Sequence, residues 1–156
     1  MTLKRILIFL LVFILAMVMI VAGIFMYVRQ CSYDADAAIE YLDKHAEKKS
    51  VGLCAGYVRR AISAGGVPTY MRPPIASMYV YYLPWLGFEK IEADDLSVYK
   101  PKKGDIVVFE AVSRHPYGHI AMYDGRQWVS DFKQRSIYVN KAYMGENAKW
   151  ALFHRQ

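Results

Sequence analysis

Ser50-Val51-Gly52-Leu53-Cys54-Ala55-Gly56-Tyr57-Val58-Arg59-Arg60-Ala61-Ile62-Ser63-Ala64-Gly65-Gly66, read together with Gly118-His119-Ile120-Ala121-Met122-Tyr123-Asp124-Gly125, decides the fold. In the first stretch Cys54, Val58, Ala61 and Ile62 recur at helical spacing. A helix is therefore predicted from Gly52 or Leu53 to Ala64, stopped by Gly65-Gly66 and Pro68. The second stretch alternates, with His119, Ala121 and Tyr123 to one side and Ile120 and Met122 to the other, as a strand requires. A cysteine thus opens a helix, where unsatisfied amides and the dipole favour an anion. A histidine opens a strand, just after the Ser113 to Tyr117 loop. This is the layout of a cysteine nucleophile with a distant histidine base, a pair that meets in space and not along the chain. The competing reading of Cys54 is a buried structural thiol.

The flanking sequence supplies the rest of an α+β pattern. Upstream, Ala35, Ala38, Ile39 and Leu42 form an apolar stripe that predicts a helix over Asp34 to Lys49, with acids near its start and lysines near its end. Downstream, Ile106 to Phe109, His119 to Tyr123, Gln127 to Phe132, Ser136 to Val139 and Trp150 to His154 read as short strands separated by turn residues. Helices first and strands after give α+β. Pro68 to Tyr99 is irregular and rich in Tyr and Trp; it reads either as a cleft wall or as packing beneath a long connection.

At the amino end, Ile6 to Val28 is 23 residues without a charge. At ~1.5 Å per residue this is about 34 Å, enough to cross a hydrocarbon core of ~30 Å. The run is longer than the apolar core of a secretory signal, ~7 to 15 residues, and it ends without small cleavage-site residues. Residues 1–30 are thus expected to form an uncleaved transmembrane anchor and residues 31–156 a single domain. Lys4 and Arg5 precede the run, while Arg29, Asp34 and Asp36 follow it, so the positive-inside rule predicts a cytoplasmic amino end with the domain outside.

Lys4, Arg5 and Arg29 are the only charges in the first 30 residues, which leaves 17 basic against 14 acidic residues beyond them. That mild excess suits anionic surfaces such as wall polymers or lipid head groups. No basic run with interleaved aromatics points to nucleic acid. Cys31 and Cys54, 23 residues apart, and histidines at 45, 115, 119 and 154 give no zinc-type spacing, and no phosphate loop or Gly-x-Ser-x-Gly elbow occurs; no metal or cofactor is expected. Cys31 and Cys54 are expected to be separate thiols.

Among the histidines, His119 is the candidate base and His115 the second choice, while His45 reads as a helix-end residue and His154 has no motif around it. Proximity to a helix terminus and an imidazole is expected to lower the Cys54 thiol from its ordinary ~8.5 toward neutrality. Asp131 is the candidate acceptor to orient His119. A two-residue turn at Asp124-Gly125 would set His119 opposite Ser130 and turn Asp131 away. A loop of one or three extra residues, or a bulge, would bring Asp131 opposite His119.

Leu53-Cys54-Ala-Gly-Tyr-Val-Arg-Arg-Ala-Ile62, Pro101-Lys-Lys-Gly-Asp-Ile-Val-Val-Phe109 and Gly118 to Gln134, in this order, resemble the NlpC-type and CHAP superfamily of cysteine peptidases and amidases. The likeness covers about residues 50 to 134 and is greatest to small peptidoglycan amidases, including those used as interbacterial effectors. It implies a papain-like core, helices packed on an antiparallel sheet, with Cys54 as nucleophile, His119 as base and Asp131, on the following strand, as third polar residue. It also implies peptidoglycan as the substrate and an inhibitory or immunity protein as a partner; the anchor then places the chain at the bacterial inner membrane, with the catalytic domain expected on the periplasmic side. Two other functions suit the residues: a thiol acyltransferase or lipid hydrolase on the same dyad, and a non-catalytic tethered module gripping a partner through Tyr79 to Phe88.

Overall fold

In a computed structural model, residues 2–145 and 148–156 are described. The first element, α1 (Leu3–Gln30), is 28 residues long; its most apolar stretch has a mean hydropathy of 3.2 and is not buried within the molecule. By length and composition it could cross a membrane. Helix α2 (Ala35–His45) begins at Asp34, whose carboxylate accepts the Ala37 amide at 2.9 Å, a side-chain N-cap. Helix α3 (Cys54–Ala64) follows and packs on α2. It ends at Gly65, and Gly66 takes the positive φ that lets the chain turn back.

The sheet is antiparallel throughout. Strands β1 (Glu89–Ile91), β2 (Ile106–Phe109), β3 (His119–Tyr123), β4 (Trp128–Val129) and β5 (Trp150–His154) lie in the order β1-β5-β2-β3-β4. Strand alternation divides the core in two. Ile106, Val108, Ile120, Met122 and Phe153 face the helices and meet Leu42, Val58, Ile62 and Leu83, whereas Val107, Phe109, Ala121 and Leu152 face the other way, under Leu96 and Tyr143. The fold is therefore α+β, with helices against one face of an antiparallel sheet and loops covering the other.

The structure departs from the sequence expectation in several places, and α2 ends at His45, short of the expected Lys49. Residues 76–85, expected to be irregular, form a short 3-10 turn (Ala76–Met78) running into α4 (Tyr79–Trp85). Pro84 lies in the last turn of α4, where its missing N–H limits the helix. β1 is only three residues long and exists through its pairing with β5. The expected strand over 136–139 does not form, and that over 127–132 shrinks to Trp128–Val129, because the chain turns sharply at 130–132. There Ser130 N donates to Phe132 O, and Gln134 N donates back to Trp128 O.

Helix α1 is joined to the domain by a cluster of contacts at its carboxyl end. Val28 is buried; Phe25 meets Trp85 edge-on with centroids 5.1 Å apart; and Arg29 donates to Pro84 O at 3.0 Å. Arg155, itself buried, donates to the carbonyls of Val28, Arg29, Cys31 and Leu86. It thereby supplies donors to carbonyls that a helix end leaves without intrahelical partners. Gly87 leaves room for it, since a Cβ there would come within 2.9 Å of the guanidinium.

Candidate active site

Cys54 occupies the first position of α3, and the preceding loop is shaped from a distance by Asp131. One carboxylate oxygen of Asp131 accepts the Val51 amide at 2.7 Å, the Leu53 amide at 3.3 Å and the Ser50 hydroxyl at 3.0 Å; the other accepts the Ser130 hydroxyl at 3.0 Å. Burial opposes its ionisation, but these donors outweigh burial and hold the carboxyl below its ordinary range. Asp131 thus acts as a remote cap that fixes the turn leading into the cysteine.

The thiol is half-buried and lies against the backbone of Ile120, one residue past His119, because α3 packs across β3. Burial pushes the Cys54 thiol up; the backbone of Ile120 offsets part of this and the Asp131 carboxylate adds to it. The direction is opposite to that expected from the helix terminus alone. Desolvation of a charged sulfur and a nearby anion exceed the dipole's contribution.

His119 opens β3 opposite Phe109 and is 7% exposed. Gly118 before it has φ +70°, a left-handed conformation, and packs so closely on Phe109 O and Ser77 that a Cβ would collide with them. This places the imidazole at the strand's first position. Burial is the main cause that lowers the His119 pKa to about 4; Asp131 opposes it and His115 adds to it. The imidazole is therefore neutral at pH 7.

Asp131 does not hydrogen-bond His119. Neither register considered from the sequence is realised: Tyr123 pairs with Trp128 across a four-residue loop, and β4 ends at Val129. The turn at 130–132 faces Asp131 toward the cysteine loop and delivers Gln134 to the histidine instead. Gln134 Nε2 lies 2.7 Å from His119 Nε2 and 3.0 Å from the Ser130 hydroxyl, and the residue is 3% exposed. A continuous chain of polar contacts, His119, Gln134, Ser130, Asp131 and the 50–53 loop, therefore connects the histidine to the cysteine. Nothing in the strand pattern marked Gln134, which lies five residues beyond β4 and reaches the histidine only through the turn at 130–132.

No hydrogen bond joins Cys54 to His119 among the described residues. Both approach Tyr143, whose ring centroid is 6.5 Å from that of His119 and whose hydroxyl is pushed up to about 12, by burial first and by Cys54 second. His115 pairs with Asn140 at 2.6 Å, His45 with its own helix at Tyr41 O, and His154 with buried Asp105 at 2.7 Å; each has a structural partner. Cys31 donates to Tyr27 O at 3.3 Å and is not paired with Cys54. Among the described residues, no three His, Cys, Asp or Glu side chains converge as a metal site.

Cys54 opens onto a cleft of about 430 Å³ between the start of α3 and the 72–79 segment, with Arg59, Arg72, Pro73, Tyr79 and Tyr117 among its walls. The aromatic segment is thereby divided. Tyr79 faces the cleft, while Trp85 belongs to the joint with α1.

A chain of the crystal structure of the type VI native effector–immunity complex Tae3–Tai3 from Ralstonia pickettii superposes on this one with a TM-score of 0.70 at 35% identity, covering 80% of this chain and 100% of that one. The selenomethionine form of the complex gives a TM-score of 0.65 at 36% identity, over 75% of this chain and 98% of that one. No protein-family model matches the chain, and no curated protein does. With the fold shared across the whole of the matched chain and over a third of the aligned residues identical, the protein belongs to the family represented in the Tae3–Tai3 type VI effector–immunity complex.

Proposed function

We propose that this chain is an effector-type cysteine amidase that cleaves amide bonds in peptidoglycan peptides, is anchored in the bacterial inner membrane by α1 with its domain on the periplasmic side, and is restrained by an immunity protein. The observation that carries the reading is a thiol at the first position of a helix, at the floor of a cleft, packed on the strand that His119 opens. Kinship with a chain of an effector–immunity complex supports it.

The neutral resting state defines the chemistry. A raised thiol and a depressed imidazole do not form a standing thiolate–imidazolium pair, so His119 takes the Cys54 proton as sulfur attacks the amide carbonyl. The C–N bond then breaks, the proton passes from His119 to the leaving amine, and an acyl-enzyme remains. Water attacks the thioester, giving one proton to His119 and then to the departing Cys54 sulfur, which returns both groups to their starting state. The Cys54 backbone amide is a donor for the oxyanion. Gln134 positions the imidazole. With its Oε1, which has no partner in the described orientation, turned to the ring, it would hold the proton on Nε2 and leave Nδ1 as the base.

The test is digestion of purified peptidoglycan by the full chain in detergent micelles, beside Cys54→Ala, with fragments read by mass spectrometry. Fragments that require the cysteine are expected, and their masses name the bond. Equal patterns from both proteins overturn the amidase reading. Fatty acid released from vesicles, with wall left intact, would establish a lipid hydrolase instead.

A further inference from the structure

Two arginines line the cleft beside Cys54, and no acid among the described residues meets them. Arg59 lies on α3, five residues beyond the cysteine, and Arg72 on the loop that forms part of the cleft wall. Among the described residues the cleft lining contains no Asp or Glu, and neither arginine takes part in an ion pair. Arg59 is steadied by one long contact, 3.4 Å to the Thr69 hydroxyl. Its charge reaches the cleft: it lowers the hydroxyls of Tyr79 and Tyr82 against the larger upward effect of burial. Arg60, the adjacent residue, lies over the Tyr57 ring at 4.6 Å. The two residues thus have different surroundings, and only the first lines the cleft.

Two positive charges in a concave site whose described lining carries no acid raise the local concentration of anions, and a guanidinium presents a planar fork matched to a carboxylate. Five residues of helix separate Arg59 from Cys54 by about 7.5 Å along the axis. At ~3.3 to 3.6 Å per extended residue, a bound peptide would set its anion about two residues from the carbonyl under attack. We propose that Arg59 and Arg72 form a carboxylate-recognition subsite, which selects amide bonds about two residues from a free carboxylate of the peptide. The inference rests on the amidase reading and adds to it the feature of the substrate that is recognised.

Two substrates differing in one functional group test it: cross-linked muropeptides, and the same pool after carbodiimide coupling to ammonia has converted carboxylates to carboxamides. The full chain in detergent micelles is compared with Arg59→Gln, Arg72→Gln and Arg59→Lys, with melting curves confirming that each is folded. The unmodified chain is expected to prefer the native pool on the order of 10- to 100-fold in kcat/KM, the scale of a charge-assisted hydrogen bond. Each glutamine variant is expected to lose most of that preference through KM, with Arg59→Lys retaining part. Cleavage of both pools at equal rates, or a preference unchanged in both glutamine variants, overturns the subsite and leaves the amidase standing. Failure of the unmodified chain to cleave either pool or intact peptidoglycan overturns the amidase and the subsite with it.

Discussion

Titrating His119 should unfasten the fold well before the carboxylates do. Its pKa falls from 6.5 to about 4 on folding because the ring is buried. The unfolded chain therefore takes up a proton near pH 6.5 that the native chain refuses until about pH 4. The stability tied to the neutral ring is fully present above the unfolded value and is lost as pH falls through this window. At ~1.4 kcal/mol per pKa unit the whole loss is about 3 kcal/mol, most of it incurred by pH 4.5. Asp131, whose carboxyl is held below its ordinary 3.8, contributes below that window and does not mask it. The assay is thermal unfolding of the full chain in micelles, followed by near-ultraviolet circular dichroism from pH 7.5 to 4.5, beside His119→Gln. The other histidines are common to both proteins and cancel. The unmodified chain should lose about 3 kcal/mol more than the variant, roughly 10 °C in Tm. Parallel curves for the two proteins would refute the buried neutral imidazole, and with it the general-base mechanism that requires it. On the proposed mechanism, the acid limb of kcat/KM is expected near pH 4.

Three substitutions probe the polar chain and its supports. Gln134→Leu keeps the volume and leaves a buried ring nitrogen unpaired, so kcat should fall about 10- to 100-fold and stability by about 1 to 3 kcal/mol, checked by single-turnover kinetics and denaturant titration. Gly118→Ala forces a Cβ into a left-handed position against Phe109 O and Ser77, and should cost about 2 to 4 kcal/mol in denaturant titration. Asp131→Asn removes the anion near the thiol, so iodoacetamide should alkylate native Cys54 faster at pH 7.5, while the weakened 50–53 turn lowers stability by about 1 to 3 kcal/mol.

The α+β class was legible because its evidence is local: the stripe of Val58, Ala61 and Ile62, and the alternation from His119 to Tyr123, each declare their element within a dozen residues. β1 was not, since three residues become a strand only when β5 arrives from the far end of the chain. α4 was obscured by Pro84 and by a run of tyrosines with weak helical preference. At the site, the positions of Cys54 and His119 could be read from the element each one opens. What links them could not. Whether Asp131 or Gln134 meets the imidazole depends on a turn at 130–132 that ends a strand early, and alternating residues carry no mark of where a strand stops.

The Arg155 joint has a consequence for the order in which the molecule becomes itself. Helix α1 is synthesised first, yet the guanidinium that ties its end to the domain lies 124 to 127 residues later, at the close of β5. Until that strand has entered the sheet, the helix is held to the nascent domain by a few apolar contacts and the Arg29–Pro84 hydrogen bond. Its direction relative to the cleft is thus among the last features to be settled, after Cys54 and His119 have already been made.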